Sequence, residues 1–258
     1  MARLQPDTMT FLEHLEELRQ RLVRSALALV AGTAACWSFR ERIFHIMTQP
    51  MRDAGFKDSF IYTSPAEALM LYMKMAFFVG IFLASPYVLW EMWGFISPGL
   101  HRHEKTWAIP FVGMGSTFFA LGAVFGHCFL FPLTFRFLGE FGGADMKFLP
   151  KIDEYYSFYS WFLLGLGLVF QIPVVIFVLA RIGLVTPRFL LKGWKWVILG
   201  AFVASAFITP TADMVIQSAL ALPMIGLYFF GVGVAWLFGR ERRRGEDALA
   251  VEAPSSAR

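Results

Sequence analysis

WFLLGLGLVFQIPVVIFVLA, Trp161 to Ala180, carries no charged residue, and its apolar character begins at Tyr155. As a helix these residues rise about 1.5 Å each, enough to cross the roughly 30 Å hydrocarbon core of a bilayer. The chain around this stretch is of the same kind. It is 57% hydrophobic and 16% charged over 258 residues, with mean hydropathy +0.57, whereas soluble domains average about 25% charged residues. A water-soluble fold is excluded on composition, and no segment is left over for a soluble domain.

Working outward, five more segments approach the same length and polarity. The predicted spans are Leu22–Phe39, Ala66–Ile96, Trp107–Phe135, Tyr155–Ala180, Trp194–Ile208 and Met214–Phe238. The expected fold is an all-α membrane protein of six transmembrane helices, one domain over residues 1–238, followed by a charged, disordered cytoplasmic tail over 239–258. The first apolar run follows a charged amphipathic stretch and has no small-residue cleavage site after it, so the first span is expected to be retained. The second segment is longer than a bilayer requires, which predicts that its Glu67 end projects and that Lys74 snorkels. The fifth has fifteen residues, about 22 Å as a helix, so it either thins the bilayer or borrows its flanks, with Lys192 and Trp196 as anchors.

Lysine and arginine set the orientation. With the N-terminus inside, fifteen fall in cytoplasmic segments, among them Arg19, Arg21, Arg24, Arg102, Arg188 and Arg240, and seven in outer ones. The excess places both ends in the cytoplasm. It also accounts for the net charge of +4 without nucleic acid as a partner; lipid is the partner this composition requires. Prolines at 86, 110, 132, 173, 210 and 223 each free backbone groups and permit a bend, which predicts kinked helices in a concave bundle. Gly122 and Gly126 form a GxxxG pair suited to close packing within one subunit. Cys36 and Cys128 show no ligand spacing, so both read as small packing residues, and neither a metal nor a cofactor is expected.

Before the first span, Thr10 and Glu13 have capping-box spacing, and Phe11, Leu15, Leu18 and Leu22 make one apolar stripe. Residues 10–22 are predicted to be an amphipathic helix on the inner membrane surface, continuing into the first span. Glu17 and Arg21 are four apart on its polar face, where a solvated ion pair is the plain alternative to any functional role.

HLEELRQRL, His14 to Leu22, resembles the N-terminal signature of the TatC family, the multispanning subunit of the twin-arginine protein translocase. WGFISPGLHRHEK (Trp93–Lys105), FPLTFRFL (Phe131–Leu138), FQIPVVIFVLARIGLVTP (Phe170–Pro187) and ITPTADMVIQSALALPM (Ile208–Met224) resemble further family segments in the same order. The resemblance implies a receptor in the bacterial cytoplasmic membrane. It would bind twin-arginine signal peptides, assemble with single-span TatA- or TatB-type partners and further copies of itself, and move folded proteins across. The family's signal-binding acids fall on Glu17 and Glu104. Arg19 matches an arginine of the same signature, and Phe95 lies next to the binding loop. Two adjacent guanidiniums call for carboxylates that accept forked hydrogen bonds. Glu104 could equally be locked in a local ion pair with its basic neighbours, and Phe95 could be an interfacial anchor. The family usually carries a glutamate in its fourth helix, linked to partner contacts; here Gln171 stands there, which keeps hydrogen bonding and loses titration. Pro50, in what reads as an outer loop, and Asp213, in the last outer turn, match positions expected to be structural.

Two other classes stay on the page. A small-solute or ion secondary transporter would explain bent helices with Lys74, His127 and Gln171 in or near spans, but the two halves show no self-similarity. An intramembrane enzyme lacks support, since every aspartate falls in a tail or loop and neither HExxH nor GxSxG is present.

Overall fold

A computed structural model of the chain describes residues 11–55, 60–96, 108–140, 150–209 and 213–238. Thr10, Glu104, most of the loop that carries it, Pro210 and the tail over 239–258 lie outside the described residues. Within them the chain is helical, apart from turns and one isolated bridge between Ile61 and Lys151.

The first helix, α1, is a single element over Phe11–Trp37. The amphipathic stretch and the first span are therefore one uninterrupted helix. A turn at Ser38 and Phe39 ends it, and α2 (Arg40–Asp53) leaves at 89°. This corrects the expected outer loop: Pro50 is buried inside α2, not in a loop. Ile43, Met47 and Met51 recur every four residues and are buried, while Glu41, Arg42, His45, Gln49 and Arg52 line the polar face. A helix lying across the end of a bundle buries only one stripe, so its charges give it the composition of a loop.

The next helix, α3 (Glu67–Ile96), carries Pro86 inside it. α1 and α3 meet at paired glycines: a methyl group built on Gly80 would come within 2.8 Å of the Thr33 backbone nitrogen, and one on Gly32 within 3.0 Å of the Gly80 carbonyl oxygen. The helices touch there backbone to backbone, a contact only small residues permit.

The third apolar segment is α4 (Ala108–Phe125), a π-helical turn over Gly126–Leu130, and α5 (Phe131–Glu140). Pro132 has no N–H for the carbonyl four residues back, and the wider turn lies immediately before it. Gly122 and Gly126 face α6 (Ile152–Val169): a Cβ on Gly122 would lie 2.7 Å from the Leu166 carbonyl oxygen. The GxxxG pair thus packs within the subunit. A break at Phe170 and Gln171 separates α6 from α7 (Ile172–Arg181), where Pro173 removes another N–H. The short α8 (Pro187–Lys192) is capped by Thr186, whose hydroxyl accepts from Phe189 N–H. α9 (Trp194–Ile208) and α10 (Met214–Phe238) keep the bounds expected from sequence. Asp213 Oδ1 accepts the Val215 N–H at 2.7 Å and caps α10.

Among the described residues four helical stretches are long and apolar enough to cross a membrane, five if the bent α1–α2 pair is one span, and α9 is a shorter apolar helix. Leu27, Val30, Leu83, Phe129, Leu168, Phe207 and Leu222 are exposed, as the outside of a bundle in lipid should be. The chain is an all-helical, multi-pass membrane protein. The principal packings run from α1 to α3, α3 to α4, α4 to α6 and α7, then α7 and α9 to α10. α1 is thus an edge helix whose main partner is α3.

An aromatic core joins α5 to α6, with Phe131 fully buried among Phe135, Tyr155, Tyr159 and Phe162. Tyr155 donates to the Met47 carbonyl at 2.6 Å and Tyr156 to the Lys74 carbonyl at 2.5 Å, tying α6 to α2 and α3. The Lys74 Nζ, half exposed, reaches the start of α6 and pairs with Asp153 Oδ1 at 2.5 Å.

Candidate functional site

The N-terminal half of α1 runs beside the C-terminal end of α3, and polar chemistry concentrates there. Glu17, His14 and Arg21 share one face of α1 because they are three and four residues apart. Arg21 is the centre. Its Nη2 and Nε donate to Glu17 Oε1 at 2.6 and 3.0 Å, and its Nη1 donates to Glu91 Oε2 at 3.0 Å. Arg24, one turn along, stands 3.9 Å from Glu91 Oε1. The Arg21 guanidinium lies directly on Gly94: a Cβ there would be 2.0 Å from Nη1. Any larger residue at position 94 displaces Arg21 from α3.

Glu91 was passed over in the sequence, although an acid inside a long apolar helix is a signal in its own right. It is 5% exposed. A carboxylate so buried requires partners, and α1 supplies two arginines. The two acids and two arginines balance in charge, and Arg21 is shared between both acids.

Of the residues expected from sequence, Glu17 stands at this cluster, and its second oxygen, Oε2, is buried with no hydrogen bond among the described residues. His14 Nδ1 is 3.8 Å away. Phe95 is brought alongside, stacked on the His14 ring at 4.3 Å between centroids and 16° between planes. Arg19 is not brought in. Its side chain is 76% exposed and pairs with Glu16 at 3.5 Å, because a neighbour two positions from Glu17 points elsewhere on a helix. The arginine that orients Glu17 is Arg21.

Gln171 is far along the chain from this cluster, at the break between α6 and α7, and its Nε2 donates to the Gly115 carbonyl of α4 at 2.8 Å. The amide therefore serves a contact inside the bundle. Gln171→Glu is expected to make stability pH-dependent, since only the protonated carboxyl can donate to that carbonyl. Protonation then favours the folded state, so the variant should be about as stable as the parent at pH 5 and less stable at pH 8, by about 1–3 kcal/mol for a carboxylate held against that carbonyl. Equal melting at both pH values in detergent would refute it.

His127, on the π-helical turn, bonds Tyr159 through Nδ1 at 2.8 Å. The pair borders an otherwise apolar groove of about 350 Å³ between α2, α3, α4 and α6. Among the described residues no group of three or more His, Cys, Asp or Glu side chains is placed to hold a metal.

The sequence model of the family "Sec-independent protein translocase protein (TatC)" matches residues 13–223. The chain is 38% identical over 242 residues to the Sec-independent protein translocase protein TatC of Koribacter versatilis, covering 92% of this chain and 88% of that one. It is 39% identical over 241 residues to the protein of the same name from Desulforapulum autotrophicum, covering 93% and 89%. A crystal structure of the twin arginine translocase receptor TatC superposes with a TM-score of 0.76 at 33% identity, over 88% of this chain and all of that one.

Proposed function

The chain belongs to the TatC family of Sec-independent protein translocase proteins, and on that premise we propose that it is the receptor subunit of a twin-arginine translocase. It binds twin-arginine signal peptides at the cytoplasmic face, assembles with single-span TatA- or TatB-type subunits and further copies of itself, and carries folded proteins across the bacterial cytoplasmic membrane. The proposed layout is six spans with both ends inside. The observation that carries the reading is the cluster at the start of α1. A half-buried carboxylate, Glu17, already holds a guanidinium through two hydrogen bonds to one oxygen, and its other oxygen accepts no hydrogen bond among the described residues. That is the chemistry an arginine ligand uses. Glu104 is proposed as the second acid and Phe95 as a wall of the peptide site. Gln171 is proposed as a partner-subunit contact through the part of its amide that Gly115 does not engage.

The test is site-specific crosslinking. A photoreactive residue at position 13 or 103 should capture a twin-arginine signal peptide and should capture its twin-lysine counterpart much less. Equal capture of both peptides would refute the reading.

A further inference from the structure

Glu91 has no part in the site as the family resemblance draws it, yet the structure ties it to Glu17 through a single side chain. Arg21 lies between the two acids, with two hydrogen bonds to the Glu17 carboxylate and, from Nη1, one to the Glu91 carboxylate and a longer one to the Glu91 backbone carbonyl at 3.4 Å. An arginine from outside cannot take full hold of Glu17 while Arg21 occupies Oε1. Moving Arg21 away without another partner would leave a guanidinium that is 22% exposed with its charge uncompensated, which is costly at such a depth. Glu91 removes that cost. It is already in contact with Arg21, it is more deeply buried than Glu17, and the Gly94 surface gives the guanidinium a flat seat on α3. Arg24, closer to solvent at 56% exposed, is within reach of the same acid and withdraws as Arg21 arrives.

We propose that Glu91 is a positioning residue of the arginine site, holding Arg21 as a movable internal counter-ion, so that a ligand guanidinium takes Glu17 as Arg21 shifts wholly onto Glu91. Arg21 is then a resident competitor. It keeps Glu17 occupied in the empty receptor, and it sets a threshold that a single weak cation does not pass. Arginine passes this threshold more readily than lysine because it offers the same forked donors as the group it displaces. This inference rests on the receptor reading above and adds a residue and an exchange step to it.

The experiment uses the full chain in detergent or nanodiscs and measures binding of fluorescent twin-arginine and twin-lysine peptides to the parent, Glu91→Gln, Arg21→Gln and the double variant. Glu91→Gln should weaken twin-arginine binding about tenfold, the value of one charge-assisted hydrogen bond. Arg21→Gln should strengthen it, and the double variant should recover at least parental affinity. A merely structural Glu91 would leave the double variant as weak as Glu91→Gln or weaker. That result, or unchanged binding by Glu91→Gln, or no gain from Arg21→Gln, overturns the proposal while the receptor reading stands. Should Glu91→Gln not fold, Arg21→Gln alone decides, because only a competitor gives tighter binding when removed. If the parent itself does not prefer twin arginine, the receptor reading fails and this inference falls with it.

Discussion

Glu17→Lys is expected to abolish export of twin-arginine precursors in cells that depend on this chain, with the protein still present in the membrane. The substitution removes an acceptor and places an ammonium beside Arg21, so a ligand arginine meets two positive charges where it formerly met a carboxylate. Arg21 keeps Glu91 as a partner at 3.0 Å, and for that reason the fold should survive. Glu17→Gln should be intermediate. It retains one acceptor oxygen but no charge, and the loss of a charge-assisted pair predicts binding weaker by about 10- to 100-fold. The measurements are precursor export and peptide affinity, with thermal melting as the control for folding. Normal export by both Glu17→Lys and Glu104→Lys would sink the assignment of the acids.

Gly80→Leu should separate α1 from α3 and thereby disable the site from a distance. The obstruction at Gly80 is the backbone of Thr33, at 2.8 Å from a Cβ, and backbone cannot rotate away as a side-chain tip can. Overpacking of this sort costs about 1–3 kcal/mol, and here the strain falls on the helix pair that holds Glu17, Arg21 and Glu91 together. Melting in detergent should drop, and peptide binding should fall more than melting predicts. Gly80→Ala should produce the same changes on a smaller scale. Gly200→Leu is the control, because a Cβ at Gly200 meets nothing within 4 Å. Equal effects at positions 80 and 200 would show that the α1–α3 crossing has no special importance.

Runs of apolar residues made the long helices legible, and α9 and α10 were readable to the residue, with Gly193 and Asp213 at their starts. α2 was not legible, since a helix packed on one face beside water has the charge content of a loop. The close glycines at 32 and 80 were not legible either: they lie on different helices, and no local spacing marks them. The site was half visible. Glu17 stood out by motif and its pairing with Arg21 by their spacing of four, whereas Glu91 meets Arg21 across seventy residues of chain that periodicity cannot bridge. Arg19 was favoured by motif alone, and the helical turn directs it to solvent.

The shortness of α9 bears on the lipid rather than the protein. A helix of fifteen residues reaches about 22 Å, so on the six-span layout either its flanks enter the bilayer or the bilayer beside it pinches by several ångströms. The elastic penalty of such a dimple scales with its rim, and two dimples that merge share one rim. Where the bilayer does pinch, a neighbour whose own span is short would share that cost and be favoured at the α9 edge before any side chains meet.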